Sequence, residues 1–391
     1  MVVAKAREFD IIVYGATGFT GRLVAEYLAA HYASRPDAPK WAMAGRSADK
    51  LAEVRALVGA PEDTPLVVAD ASDPASLDAM AARAQVVLTT VGPYQLYGRD
   101  LVAACVKAGT AYADLCGEPG WMREMIDEQE AAAKASGARI TFSCGFDSIP
   151  FDLGVLFLQA EAVRRHGQPA PRVKGRVRKM AGGASGGTIA SLTETLKAIA
   201  KKPSLALLLK SSFALTPGFE GPSQPTGLVP EYDSATGTWT APFVMAPINT
   251  KNVHRTNFLL GHPWGADLVY DEMVMTTIGD AGKAMAEAMA KANPFDPSIK
   301  PGDGPSKEER ENGFYDILFI GEYEDGTTIR ASVQGDRDPG YGSTSKMLAE
   351  TGIALLANKG PGGIWTPGAL LGDALIERLT ANAGLTFRLE E

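Results

Sequence analysis

Three glycines, Gly15, Gly18 and Gly21, stand in YGATGFTGRLVAEYL with the spacing G-x-x-G-x-x-G. That spacing suits phosphate chemistry. The first glycine permits a tight turn out of a strand, the second lets backbone N–H groups approach a pyrophosphate, and the third lets the next helix pack closely. The helix then points its positive end at the phosphates. Thr17, Phe19 and Thr20 complete the turn, so residues 15–21 form the expected cradle. DIIVY directly before it and an amphipathic segment after it give the strand–turn–helix setting that marks a dinucleotide site.

The end of the second apolar run selects the dinucleotide. WAMAGRS places Gly45, Arg46 and Ser47 where an NAD-preferring fold carries Asp or Glu for the ribose 2′-hydroxyl. No carboxylate is left to repel a 2′-phosphate, Arg46 can grip one with charge-assisted hydrogen bonds, and Lys50 can assist, so NADP is the expected cofactor. The competing reading makes Arg46 a solvated loop charge. Asp70, ending VVAD, is placed for the adenine side, with helix capping as its alternative. Gly92, Pro93 and Tyr94 follow the fourth run and should pass beneath the pyrophosphate and nicotinamide ribose.

A catalytic group is harder to find. GATGFTG also opens extended short-chain dehydrogenases, which use Tyr-x-x-x-Lys, but none of the eleven tyrosines has lysine four residues on. There is no C-x-x-C and no H-x-x-x-H, so a metal is not expected. Cys144 reads as a buried core thiol. The polar residues left at strand ends are Tyr94, Tyr97, Glu118, Asp147 and Ser148. Tyr94 is the candidate proton donor or ribose contact, with a packed aromatic as its alternative. Asp147 is the candidate for positioning substrate, although a cap on the helix starting at Ile149 or Pro150 is the favoured role.

These residues need a frame. Apolar runs at 9–14, 40–44, 65–69, 84–91, 111–115 and 138–143 alternate with helical stretches, the signature of a parallel sheet covered on both faces. The fold class is therefore α/β: an N-terminal Rossmann-type, doubly wound parallel sheet over 1–150, followed by an α+β domain with an antiparallel sheet over 151–340. Within the second domain, a helix over 151–166 leads into PRVKGRVRKM, a glycine turn and a helix over 188–201, and Asp325-Gly326 marks a hairpin. Residues 216–250 read as long loops with short strands. Residues 341–391 read as helices returning to the first domain.

The formal charge of -8 removes most of the case for nucleic-acid binding. No uncharged run is long enough to span a membrane and no secretory leader is evident, so a cytoplasmic location is expected. Leu205, Leu208, Leu209 and Phe213 form a helical stripe suited to a greasy channel or a lipid surface, or equally to a core helix or homodimer contact. The basic run 172–179 could attract a phosphorylated or carrier-bound acyl group, a solvated strand face being the commoner explanation.

YGATGFTG, AGRS, VGPY, YADLCGE and CGFDSIPFD, in this order, resemble the saccharopine dehydrogenase-like oxidoreductases, and within them the trans-acting enoyl reductase branch. The segments 185–192, 335–356 and 362–379 extend the resemblance to nearly the whole chain. It implies an NADP-type cofactor, a second domain over the nicotinamide, and a lipid or acyl-chain substrate reduced by hydride. The enzymatic alternative is C–N oxidoreduction of an amino acid or polyamine, for which Arg176, Arg255 and Arg337 would have to converge on a carboxylate. A protein that holds NADP without turnover is the third reading.

Overall fold

The computed structural model describes residues 7–182, 186–292 and 304–391. Fourteen strands are present among them: β1 Phe9–Tyr14, β2 Trp41–Gly45, β3 Leu66–Val68, β4 Ala84–Thr89, β5 Ala111–Ala113, β6 Arg139–Thr141, β7 Arg172–Ala181, β8 Glu231–Asp233, β9 Thr238–Pro242, β10 Val269–Met275, β11 Phe314–Glu322, β12 Thr328–Gly335, β13 Gly363–Trp365 and β14 Leu385–Glu390.

The first sheet has the order β13-β6-β5-β4-β1-β2-β3 and every pair in it is parallel. All six expected strands lie in it. Its central strand β1 is apolar on both sides because both sides are covered. Ile11 and Val13 of β1 enter one hydrophobic cluster, while Ile12 and Tyr14 enter the other.

The second sheet has the order β14-β12-β11-β7-β10-β9-β8. It is antiparallel except for β7 and β10, which run parallel. The Asp325-Gly326 turn joins β11 to β12, and Gly326 takes the left-handed φ of +84° that the turn requires. The helix Ile149–His166 lies on this sheet closely enough that a Cβ on Gly154 would stand 2.3 Å from the Phe319 ring.

Three expectations need correction. The C-terminal stretch is not helical throughout: β13 extends the first sheet beside β6, and β14 closes an edge of the second beside β12. Residues 246–250, expected as loop, open the helix Ala246–Leu259. Four of the five cations in the basic run of β7, all but the exposed Lys179, are paired by carboxylates of their own sheet rather than solvated. Arg176 binds Asp233 at 2.6 Å and Asp271 at 2.9 Å, Lys174 binds Glu322 at 2.9 Å, and Arg178 binds Glu390 at 2.6 Å. Arg172 also pairs with Asp271. The helix Gly186–Lys201 covers the expected one, but the glycine turn before it falls partly on 183–185, outside the described residues.

The helix Thr344–Ala357 packs on β4, where the bare Gly352 admits Leu88. Its Glu350 is fully buried and accepts hydrogen bonds from Tyr27 and Tyr32 at 2.7 Å each, and from Arg378 at 2.7 Å. This fastens the C-terminal helices to the first helix, Phe19–Tyr32. Among the described residues, no helix is long and apolar enough to cross a membrane.

Candidate functional site

From β1 the chain moves outward one way to β2 and β3, then returns and moves the other way from β4 to β6. The switch therefore lies between β1 and β4, and the crevice at their carboxyl ends is where open α/β sheets bind ligands. The loops meet there: a Cβ on Gly15 would stand 2.8 Å from both Thr90 Oγ1 and Val91 Cγ2.

Gly15 has φ +87°, a left-handed conformation that suits glycine. A Cβ on Gly21 would lie 2.1 Å from the Gly15 carbonyl oxygen, so glycine alone lets the helix start this close to the turn. Gly18 is exposed, and at the helix N-cap it offers no side chain to the first-turn N–H groups. By contrast, Ser47 and Asp73 cap the next two helices, accepting from Lys50 N–H and Ala75 N–H. The turn thus keeps free donors and bare backbone, as a pyrophosphate requires. Thr17, Phe19 and Thr20 are half-buried around it.

Arg46 follows β2, exposed, with no hydrogen bond or ion pair among the described residues. Ser47 beside it spends its oxygen on the cap. Asp70 does not cap the helix after β3; Asp73 does. Asp70 instead accepts from the Ser72 N–H at 2.9 Å and Ser72 hydroxyl at 2.8 Å. Those bonds, with help from Arg46, hold its carboxyl below the usual range.

The loop after β4 carries Gly92, exposed, then Pro93 and Tyr94. Glu118 organises it, accepting from the N–H groups of Tyr94 at 2.8 Å and Gln95 at 2.9 Å, and from the Ser191 hydroxyl at 2.7 Å. This carboxylate is a main-chain clamp rather than a free acid. The proton-donor role expected of Tyr94 also needs correction. Its buried hydroxyl accepts from Leu115 N–H at 3.0 Å and donates to the Thr89 carbonyl at 3.4 Å, while its ring lies 5.8 Å from that of Trp121. Burial, then the charge of Asp114, pushes the phenol well above its ordinary value. Tyr94 packs the loop; Tyr97 is exposed.

The loop after β6 carries Cys144 and Asp147. Cys144 is buried, its thiol directed at the Thr141 carbonyl and pushed up by burial, which leaves no nucleophile. Asp147 does not cap the following helix: Ser148 occupies the cap position, and no side chain makes a capping bond. Asp147 is half-buried, its carboxyl has no hydrogen-bond partner among the described residues, and burial pushes it up to about 6. Ser148 is held from the second region, accepting from Asn252 at 2.6 Å and donating to Asn249 at 3.3 Å. Asn249 in turn donates to the buried Glu272 at 2.8 Å.

Asn249 and Asn252 escape sequence reading because PINTKNVHRTNF looks like a solvated segment. The C-terminal motif 335–356 also closes on the site. Tyr341 meets the Phe19 ring edge-on at 4.7 Å, and Thr344 accepts from Phe146 N–H at 3.0 Å. Of the leucine stripe, Leu205 seats on Gly120, Leu208 and Leu209 are half-buried, and the buried Phe213 lies against His254. Arg176, Arg255 and Arg337 lie on β7, on the helix Ala246–Leu259 and after β12, and each is bonded within its own surroundings. They form no common carboxylate pocket.

Comparisons with known proteins agree with this geometry. Residues 11–140 match the saccharopine dehydrogenase NADP binding domain. The chain is 41% identical to a Mycobacterium tuberculosis protein provisionally named a trans-acting enoyl reductase, over 99% of each chain. It is 38% identical to the trans-acting enoyl reductase of Mycobacterium bovis, over 95% of this chain and 96% of that one. Among solved structures, apo saccharopine dehydrogenase (L-Glu forming) from Saccharomyces cerevisiae superposes with a TM-score of 0.56 at 12% identity. That match covers 98% of this chain and 100% of the other, and speaks for the fold alone. The chain belongs to the saccharopine dehydrogenase-like NADP-binding family and is a homologue of its trans-acting enoyl reductases.

Proposed function

We propose that this chain is an NADPH-dependent reductase that acts on an unsaturated, hydrophobic acyl-type substrate. The observation that carries the reading is the pairing of an uncapped glycine turn at the switch point with the unengaged guanidinium of Arg46. Main-chain groups of residues 15–21 would hold the pyrophosphate, Arg46 and Ser47 the 2′-phosphate, Asp70 the adenine end, and the 92–94 loop would support the nicotinamide ribose. NADPH, when bound, supplies the hydride. Asp147 delivers the matching proton, so that addition across the carbon–carbon double bond is complete. Its solvent-poor setting keeps that proton bound to higher pH than an ordinary aspartate does. The rest of the chain orients the substrate and excludes water.

The relatives' names support the enoyl substrate, and the scattered arginines give no support to amino-acid oxidoreduction. The test offers NADPH with a medium-chain enoyl thioester to the parent and to Asp147→Asn, following nicotinamide absorbance and the saturated product. Turnover in the parent that drops about a hundredfold in the variant is expected. Tight NADPH binding with no turnover on enoyl thioesters would refute the reductase reading.

A further inference from the structure

The helix Ala246–Leu259 is buried without a break from Lys251 to Asn257, although five of those seven residues besides Val253 and Thr256 carry amides or bases. One face is explained. Asn249, Asn252 and Thr256 bond to Glu272, Ser148 and Asp152. The other face is not. Lys251 and Arg255, four residues apart and so stacked on one side of the helix, are both buried, and neither has a carboxylate within ion-pair distance among the described residues.

Arg255 gives its guanidinium to the carbonyls of Leu215 and Ile364, at 2.6 Å each. The acids whose field reaches it are engaged elsewhere: Asp127 pairs with Arg123 at 2.9 Å, and Glu130 with Lys134 at 2.9 Å. Lys251 has less. One N–H donates to the Pro247 carbonyl of its own helix at 2.8 Å, and two of its three are unspent. One turn on, His254 buries Nε2 with no partner, and the Phe213 ring lies on its imidazole at 4.5 Å. Burial lowers the Lys251 ammonium to about 8, and burial first, then Lys251, keeps His254 neutral. Uncompensated buried cations are costly, and perturbed groups of this kind gather where a ligand supplies the missing charge.

We propose that Lys251, His254 and Arg255 form a buried receptor for an oxyanion, either a carboxylate or a phosphate. The spare N–H groups of Lys251 and the Nε2–H tautomer of His254 are the donors, and Arg255 adds positive field from the next turn. The segment Phe213–Leu215 lies over His254 and Arg255, so the ligand enters when that segment lifts. This site is separate from the glycine turn and does not rest on the reductase reading.

Calorimetry of the full chain with octanoate and with inorganic phosphate, at constant ionic strength in chloride, tests it. Saturable binding weakened at least tenfold in Lys251→Met and severalfold in His254→Phe is expected. Preference for octanoate assigns a carboxylate on an apolar body, and preference for phosphate the other source. Lys251→Met should also melt higher than the parent in chloride, having lost an unpaired buried charge. Binding insensitive to Lys251→Met, as phosphate held at the glycine turn would be, overturns the proposal, as does no saturable binding to the folded parent. If Lys251→Met does not fold, undiminished binding in His254→Phe overturns it equally.

Discussion

Replacing Arg46 with alanine should weaken NADPH about tenfold and leave NADH unchanged. Arg46 makes no contact that the fold uses, and the neighbouring cap of Ser47 to Lys50 N–H stays in place, so the variant should fold as the parent does. A hydrogen bond to a charged group contributes about 1.5–3 kcal/mol. The side chain is exposed and salt-screened, which points to the lower end, and about 1.4 kcal/mol is already a factor of ten. Asp70 adds to the effect. Its carboxylate is held ionised by Ser72 and then by Arg46; without Arg46 its charge stands uncompensated and repels only the nucleotide that carries a 2′-phosphate. Asp70→Asn on the Arg46→Ala background should therefore recover part of the loss. The assay is calorimetric titration of cofactor-stripped protein with both nucleotides, at low and high salt. Because the screening length falls from about 10 Å at 0.1 M to about 3 Å at 1 M, the parent's preference should narrow as salt rises. An unchanged NADPH-to-NADH ratio in a folded Arg46→Ala protein would refute the assignment.

With turnover established, the parent's rate should fall as pH rises through about 6, where Asp147 loses its proton, and Asp147→Asn should flatten that limb; a limb that survives the substitution belongs to another group. Gly21→Ala drives a Cβ to 2.1 Å from a backbone oxygen and should cost about 1–3 kcal/mol in urea unfolding while loosening NADPH; an unshifted midpoint would contradict the close turn–helix contact. Glu350→Leu strands Tyr27, Tyr32 and the partly exposed Arg378, and should lower stability by about 3 kcal/mol. Burial raises Asp152 to about 7, against about 3.9 in an unfolded chain, so between those values the folded state binds more protons. Its share of stability is full below about pH 4 and is lost as pH rises towards 7; the melting temperature of Asp152→Asn should therefore fall less across that range than the parent's.

What is legible in the sequence and what is not divides along a physical line. β1 to β6 can be read because a strand buried on both faces has only one composition, and the glycine turn because backbone approach at Gly15 and Gly21 excludes any side chain. Both signals are local. The three-residue β13 is too short to show a period, and its place beside β6 is set by contacts made some 220 positions away in sequence. The functional polar residues fail for a related reason. Glu118, Tyr94 and Asp147 all sit at strand ends and look alike in sequence, yet the first clamps main-chain N–H groups and the second fills the core. Asp147 alone is left with an unbonded carboxyl. What separates them is which partners each finds after folding, and no spacing encodes that. The helix Ala246–Leu259 is the extreme case. Its polar residues would put it at the surface, but Ser148 and Asp152 at the start of the helix Ile149–His166, and Glu272 of β10, supply partners for one face. The face bearing Lys251 and Arg255 receives no such carboxylate, and a cation that folding buries but does not pair is better explained by a ligand than by the fold.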